Sequence, residues 1–246
     1  MVYIPTNLPA KIGYNTNLDT SFFIPLSNNL SIVNPTGQQT QVQSTSINDT
    51  LAGTGVQKVL ITYFDTTWAL KTEVVSTNGA TPTLTVATDI LRIEDFEAFQ
   101  VGSMGSAIGT ITLTNVSITP TNIFAQIDIT FTKFLRAIHI VAPGHVSIMT
   151  DITANCPTTG GAFFSVCAVK DNTPNGGNQI EIPESAFILA TNSIHIPVSI
   201  PILIPGNFPI TCDARCSTVG IMMGMAVKGL AATQTAIASF HYLDIS

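Results

Sequence analysis

The stretch GVQKVLITYFDTTWALKTEVVSTNGATP, Gly55 to Pro82, decides how this chain is read. In KVLITYFD the side chains alternate, with Val59, Ile61 and Tyr63 on one side and Leu60, Thr62 and Phe64 on the other. After Asp65-Thr66-Thr67 the alternation resumes, setting Trp68, Leu70, Thr72 and Val74 against Ala69, Lys71, Glu73 and Val75. Successive side chains of a strand point to opposite faces, so two such runs around a short polar break predict a β-hairpin. Asn78-Gly79 predicts the next turn, because both residues tolerate positive φ. The stretch carries the only Trp of the chain but no nucleophile–base pair, metal set or phosphate loop. It reads as scaffold.

The same pattern continues outward. TPTLTVAT, ILRIEDFEAFQV and GTITLTNV follow as strand candidates, then IFAQIDITF, FLRAIHIVA, GHVSIMTDITA and GAFFSVCAVKD. Thr is the commonest polar residue, and Thr, Val and Ile favour the pleated surface of a sheet. Apolar residues at helical spacing are nearly absent, and Gly, Pro, Asn and Asp punctuate the short runs. This predicts an all-β protein of two antiparallel, jelly-roll-like β-sandwich domains joined near residues 116–122. Residues 1–50 predict an extended N-terminal arm with short strands around Ser21–Pro25 and Gln41–Ser46. The modules are then 51–118 and 119–246. Prolines confine IPVSIPILIP, Ile196 to Pro205, to an edge strand or a polyproline run.

Of the 246 residues 45% are apolar and only 10% charged, against about 25% charged in an average soluble protein. A chain this poor in charge is predicted to bury surface, either in a membrane or against other subunits. Spanning a bilayer takes about 20 apolar residues. IHIPVSIPILIP is interrupted by Pro197, Pro201 and Pro205, and VGIMMGMAV is too short. The N-terminus has no basic start followed by an apolar core, so no secretory signal is expected. Nor do aromatic girdles mark a membrane barrel. Net charge is −6 with 9 Lys and Arg scattered along the chain, which leaves no basic stripe for nucleic acid. Assembly with other subunits is the expectation that remains.

Residues 53–115 resemble a module of structural proteins from tailed phages and other large, marine-type DNA viruses. The resemblance is carried by the GTG strand Gly53 to Ile61, the turn Asp65 to Trp68 and the hairpin Glu73 to Gly79. Arg92-Ile93 and the glycine loop Gly102 to Ile111 complete it. The following half resembles the sandwich that accompanies this module, with IPVSIPILIP near its end. The resemblance implies a virion structural component.

No group of residues predicts catalysis. The loop Gln100 to Gly109 lacks the Lys and the following helix of a phosphate cradle, and reads as a turn. Arg92, Glu94, Asp95 and Glu97 read as a solvated face or an inter-subunit contact, since Glu94 and Asp95 face opposite sides of a strand. His139, His145, His195 and His241 are widely separated, and neither G-x-S-x-G nor H-E-x-x-H occurs. Cys156, Cys167, Cys212 and Cys216 read as half-buried thiols, with a disulfide or a zinc site as the alternatives. GIMMGMAV reads as core, with an adaptable contact surface as the alternative.

The expected function is therefore that of a capsid, minor capsid, decoration or tail-associated subunit that self-assembles and contacts other virion proteins. It would be made in the host cytoplasm and act without enzyme activity or cofactor. The alternative is a glycan- or receptor-binding sandwich of a spike or adhesin, for which 7% aromatic residues is a poor endowment. Phe22, Phe23 and Ile24 of the arm, and Ile200, Ile202 and Leu203 of the Pro-rich segment, are the predicted interface residues.

Overall fold

The computed structural model describes residues 10–16, 24–28, 33–143, 146–155, 162–171, 178–181, 186–189, 194–204, 221–229 and 236–245. Every regular element among them is a strand. They separate into two compact units. One gathers the described residues of Met1–Asn28, Arg136–Asp171 and Asn178–Ser246, the other those of Asn29–Leu135.

The first unit begins with β1 (Ala10–Asn15) and β2 (Ile24–Pro25). The second holds β3 (Thr40–Ser44), β4 (Val56–Asp65), β5 (Leu70–Ser76), β6 (Thr83–Leu84), β7 (Ile90–Val101), β8 (Ile111–Asn115) and β9 (Ile123–Ile127). The chain then returns to the first unit with β10 (Ile138–Val141), β11 (Val146–Asn155), β12 (Ala162–Asp171) and β13 (Asn178–Glu181). β14 (Ala186–Leu189), β15 (Ile194–Ile204), β16 (Ile221–Gly229) and β17 (Ala236–Ile245) complete it.

In the first unit the antiparallel pairs are nested. β1 pairs with β17, β2 and β10 with β16, β11 with β15, and β12 with β13 and β14. Successive pairs alternate between a β1-β17-β11-β15 sheet and a β10-β16-β12-β13 sheet. A long antiparallel ribbon rolled over on itself gives this order, which is the jelly roll. Its sandwich form follows from strands with an apolar face that must be covered. β15 lies at the end of its sheet, as its prolines require, because a proline has no N–H for a second neighbour.

One ladder position of the jelly roll is occupied by two separate pieces of chain. β2 sets Ile24 and Pro25 against Val227 and Ala226, and β10 continues in the same direction with Ile138 to Val141 against Gly224 to Ile221. The other unit is thus inserted within what would otherwise be one strand. At the break, Ala137 N–H donates to Leu26 C=O at 3.0 Å, and Ser27 bridges Arg136. Asn15 Nδ2 donates to Ser27 C=O at 3.0 Å. Gly13 of β1 is required here, since a Cβ would collide with the Leu26 carbonyl and Ala137.

The inserted unit packs a β6-β3-β8-β9 sheet on a β5-β4-β7 sheet. Val42, Ile111, Leu113, Phe124 and Ile127 from the first meet Val59, Ile61, Tyr63, Val75, Ile93 and Phe96 from the second in one buried core. The expected hairpin is β4–β5, and Val59, Ile61 and Tyr63 face inward as their alternation requires. Its turn differs from the expectation by two residues. Trp68 lies in the turn with φ 64°, and β5 starts only at Leu70. A type I turn followed by a left-handed residue closes a three-residue hairpin loop, and Trp68 fills the position usually given to glycine.

Two expectations about organisation are corrected. The described residues of 1–50 do not form a separate arm, because β1 and β2 are jelly-roll strands and β3 is a central strand of the inserted sandwich. Their partners lie far along the chain, so local sequence showed only the poor alternation. A division at 118/119 would part β8 from β9, which are paired from Ile111↔Ile127 to Thr114↔Ile123. The units exchange the chain near residues 28 and 136 instead.

Candidate functional site

Three loops, 45–55, 77–82 and 102–110, close one end of the inserted sandwich, as the pairs Ser44↔Ile111, Val56↔Val101 and Lys58↔Ser76 require. The chain enters and leaves at the other end. Residues 33–39 lead to Thr40, opposite Asn115. The exit segment 132–135 runs along β7 from Ala98 toward Phe96, away from the three loops, with Ala98 N–H donating to Thr132 C=O and Phe134 N–H to Phe96 C=O. This loop end is therefore distal to the unit's own connections, the position from which loops on a rigid scaffold usually act.

Asp49 organises the distal loops. Its side chain is buried, and four donors converge on its carboxylate. Oδ1 accepts from Val56 N–H at 2.9 Å and Ile108 N–H at 3.1 Å; Oδ2 accepts from the Ser44 hydroxyl at 2.6 Å and Gly109 N–H at 2.8 Å. The Asp49 carbonyl also accepts from Gly79 N–H at 2.8 Å. One residue thus ties together all three loops. Buried charge is tolerated when every lone pair is used in this way. Gly55 is glycine because a Cβ would strike this carboxylate. The GTG, Asn-Gly and glycine-loop signals, separate in the sequence, meet here. Met104 N–H donates to Thr54 C=O at 2.9 Å and Gly102 N–H to Gly55 C=O at 2.7 Å. Asp49 itself was missed by sequence reasoning; the only local hint was a short polar run, SINDT, ahead of the glycines.

The opposite end carries a second polar cluster. Asp65 Oδ1 accepts from Thr67 N–H at 2.8 Å, the Thr67 hydroxyl at 2.7 Å and Ala69 N–H at 3.0 Å, and Oδ2 meets Lys71 Nζ at 2.6 Å. The hydrogen bond from Lys71, reinforced by Thr67, holds the Asp65 carboxyl well below the usual carboxylate range. These bonds fix the turn that keeps Trp68 left-handed. Arg92 lies 5.9 Å from the centre of the Trp68 ring and donates to Pro35 C=O at 3.0 Å. The Arg92 guanidinium thus lies over the Trp68 ring at cation–π distance.

Of the run Arg92, Glu94, Asp95 and Glu97, two carboxylates are engaged by one lysine. Asp95 and Glu97 clasp Lys133 at 2.7 and 3.5 Å and so fasten the exit segment to β7. His139 is buried in β10 and stacks on Tyr242, with ring centroids 3.7 Å apart. His195 is in β15 and His241 in β17; His145 lies outside the described residues. Cys167 is in β12, and the other three cysteines are outside the described residues. Among the described residues no three His, Cys, Asp or Glu side chains gather to hold a metal ion. No helix among them is long and apolar enough to cross a membrane. Of the predicted interface residues, Phe22 and Phe23 lie outside the described residues. Ile24 pairs with Val227 at the break in the strand; Ile200, Ile202 and Leu203 lie in the edge strand β15, where Ile202 pairs with Met149 and Leu203 with Ile148. The structure does not bring these two groups into one strand pair.

No family model matches the sequence, and no curated protein matches it. Among solved structures, the chain is similar to a protein of infectious bursal disease virus, Gx strain, at 9% identity and TM-score 0.25, with 96% of this chain and 71% of that one covered. It is similar also to the VP2 subviral particle of that virus, at 11% identity and TM-score 0.26, covering 97% and 71%.

Proposed function

We propose that the chain is a structural subunit of a virus particle that works by self-assembly. The observation that carries this is the nested pairing of the first unit, a jelly roll with a second β-sandwich inserted into one of its strands. Jelly rolls build viral capsids, and they also serve lectins and cupins. Sparse charge favours the first use, since apolar, charge-poor surface suits large permanent interfaces. The motifs of residues 53–115 extend the proposal to a tailed-phage or large-DNA-virus particle, in which the chain would meet other virion proteins. Neither catalysis nor a cofactor is part of the proposal.

The second reading, glycan or receptor binding, is favoured by the distal position of the three loops. Those loops contain no Trp, Tyr or Phe, however, and their one charged residue, Asp49, is buried. They offer neither a stacking ring nor an ion-pairing group to a sugar. Native mass by light scattering on a sizing column, with negative-stain images of the same peak, tests the proposal. A closed oligomer or shell is expected. A stable monomer at high concentration, or specific hits on a glycan array, would overturn it in favour of the second reading.

A further inference from the structure

We infer that Asn78 is a gated modification site, which loses its side-chain nitrogen as ammonia when the distal loops open. Asn78-Gly79 lies in loop 77–82, in the turn where Thr81 N–H donates to Asn78 C=O at 3.1 Å. The Asn78 side chain is exposed, and no described group hydrogen-bonds to it. Asparagine is thermolabile, and most readily so before glycine, where no side chain hinders the following amide nitrogen. The reaction needs only water. The Gly79 nitrogen, once its proton is lost to base, attacks Asn78 Cγ. The new N–C bond closes a succinimide ring as the carboxamide nitrogen leaves as ammonia. Water then opens the ring at either carbonyl, giving aspartate or isoaspartate.

In the closed loops this nucleophile is engaged elsewhere. Gly79 N–H donates to Asp49 C=O at 2.8 Å, and Gly79 C=O accepts from Ser44 N–H at 2.9 Å. Gly79 is buried with φ 59°, and Thr50 bridges Asn78. The Asp49 carboxylate is tied down in turn by Ser44, Val56, Ile108 and Gly109, so the carbonyl that holds Gly79 stays in place. Ring closure must first break the Gly79 bond to this hub. A buried group left without its partner is costly, so the reaction waits on local opening of the loops. Isoaspartate then adds a carbon to the backbone between Asn78 Cα and the Gly79 nitrogen. The Thr50 bridge and the bonds to Asp49 and Ser44 cannot all return in register, and an opened loop is marked irreversibly. The inference does not depend on the self-assembly proposed above.

The test incubates the full chain in mildly alkaline buffer, native and unfolded in guanidinium chloride. Mass spectrometry follows the peptide holding Asn78, and an isoaspartyl methyltransferase assay counts isoaspartate. Asn175-Gly176, the chain's other Asn-Gly, supplies the intrinsic rate in the same unfolded sample. Asn78 is expected to convert as fast as Asn175 when unfolded, and about tenfold or more slowly in the native chain. Asp49→Ala, shown to be folded by circular dichroism, should convert Asn78 faster than the native wild type. Ser44→Ala, which removes one donor from the hub, gives the same reading should Asp49→Ala misfold. Equal rates in the native and unfolded wild type would overturn the gate. An Asn78 that stays intact in guanidinium while Asn175 converts would rule out the site itself. A folded hub variant that keeps the wild-type rate would sink the assignment of the lock to Asp49.

Discussion

Two aspartates stabilise the inserted sandwich, one at each end, by different means. Asp49 is a hub without a cation: its four donors come from Ser44, Val56, Ile108 and Gly109. Leaving a buried donor unsatisfied costs about 1–3 kcal/mol, and Asp49→Ala orphans four at once. The expected loss is more than about 3 kcal/mol, below simple additivity because the loops relax. Urea unfolding followed by Trp68 fluorescence measures it, and a loss within 1 kcal/mol of zero, about the size of an ordinary surface change, would refute the hub. Asp65 works with a cation, Lys71. A carboxyl held low when folded contributes its full stability above the ordinary aspartate value of 3.8, and loses it as pH falls through the lowered folded value. The stability gap between wild type and Lys71→Met should therefore be constant near neutrality and narrow on acidification below about pH 4. An equal gap at pH 7 and at the acid end would argue against this pairing.

At the scale of single elements, the exit segment 132–135 behaves as a short added strand on β7, held by two backbone bonds and the Lys133 clasp. Lys133→Ala should loosen the segment without unfolding the sandwich. A partly exposed ion pair is worth up to about 1 kcal/mol, so amide exchange at Ala98 and Phe134 is expected to quicken by about fivefold. Unchanged protection at both amides would mean that the backbone bonds suffice. What was legible in the sequence follows the same division between near and far partners. The β4–β5 hairpin was readable because its strands are joined by a few residues and each alternates cleanly. β7 is less regular than its alternation suggests, since its register against β4 shifts at four places. The prolines of β15 left an edge strand or a polyproline run, and the segment is a strand at the end of its sheet. β1 was hidden, because its partner β17 lies at the opposite end of the chain. The Asp49 hub was hidden for a related reason: Ile108 and Gly109 approach from nearly sixty residues away, and no local pattern marks a hydrogen bond of that range.

On the scale of the whole molecule, each sheet lies wholly within one unit, and the inserted unit leaves and rejoins the jelly roll at one ladder position. Ser27 and Arg136 already face each other as in a hairpin. Replacing residues 28–135 by Asn-Gly, the pair that closes a two-residue hairpin, should leave β2 and β10 both in place on β16 and the jelly roll folded. Circular dichroism and a cooperative melting transition check this; an unfolded or insoluble product would mean that the inserted sandwich is needed for the fold. The outermost nested pair has a consequence of its own for how the protein is made. Chains emerge from the ribosome N-terminus first. Once Leu135 has been made, every strand of the inserted sandwich is present, whereas β1 must wait for β17. β17 also separates β1 from β11, so a polypeptide stopped short of Ala236 lacks the strand that joins β1 to the rest of that sheet. Synthesis thus carries its own checkpoint: a prematurely terminated chain cannot close the jelly roll.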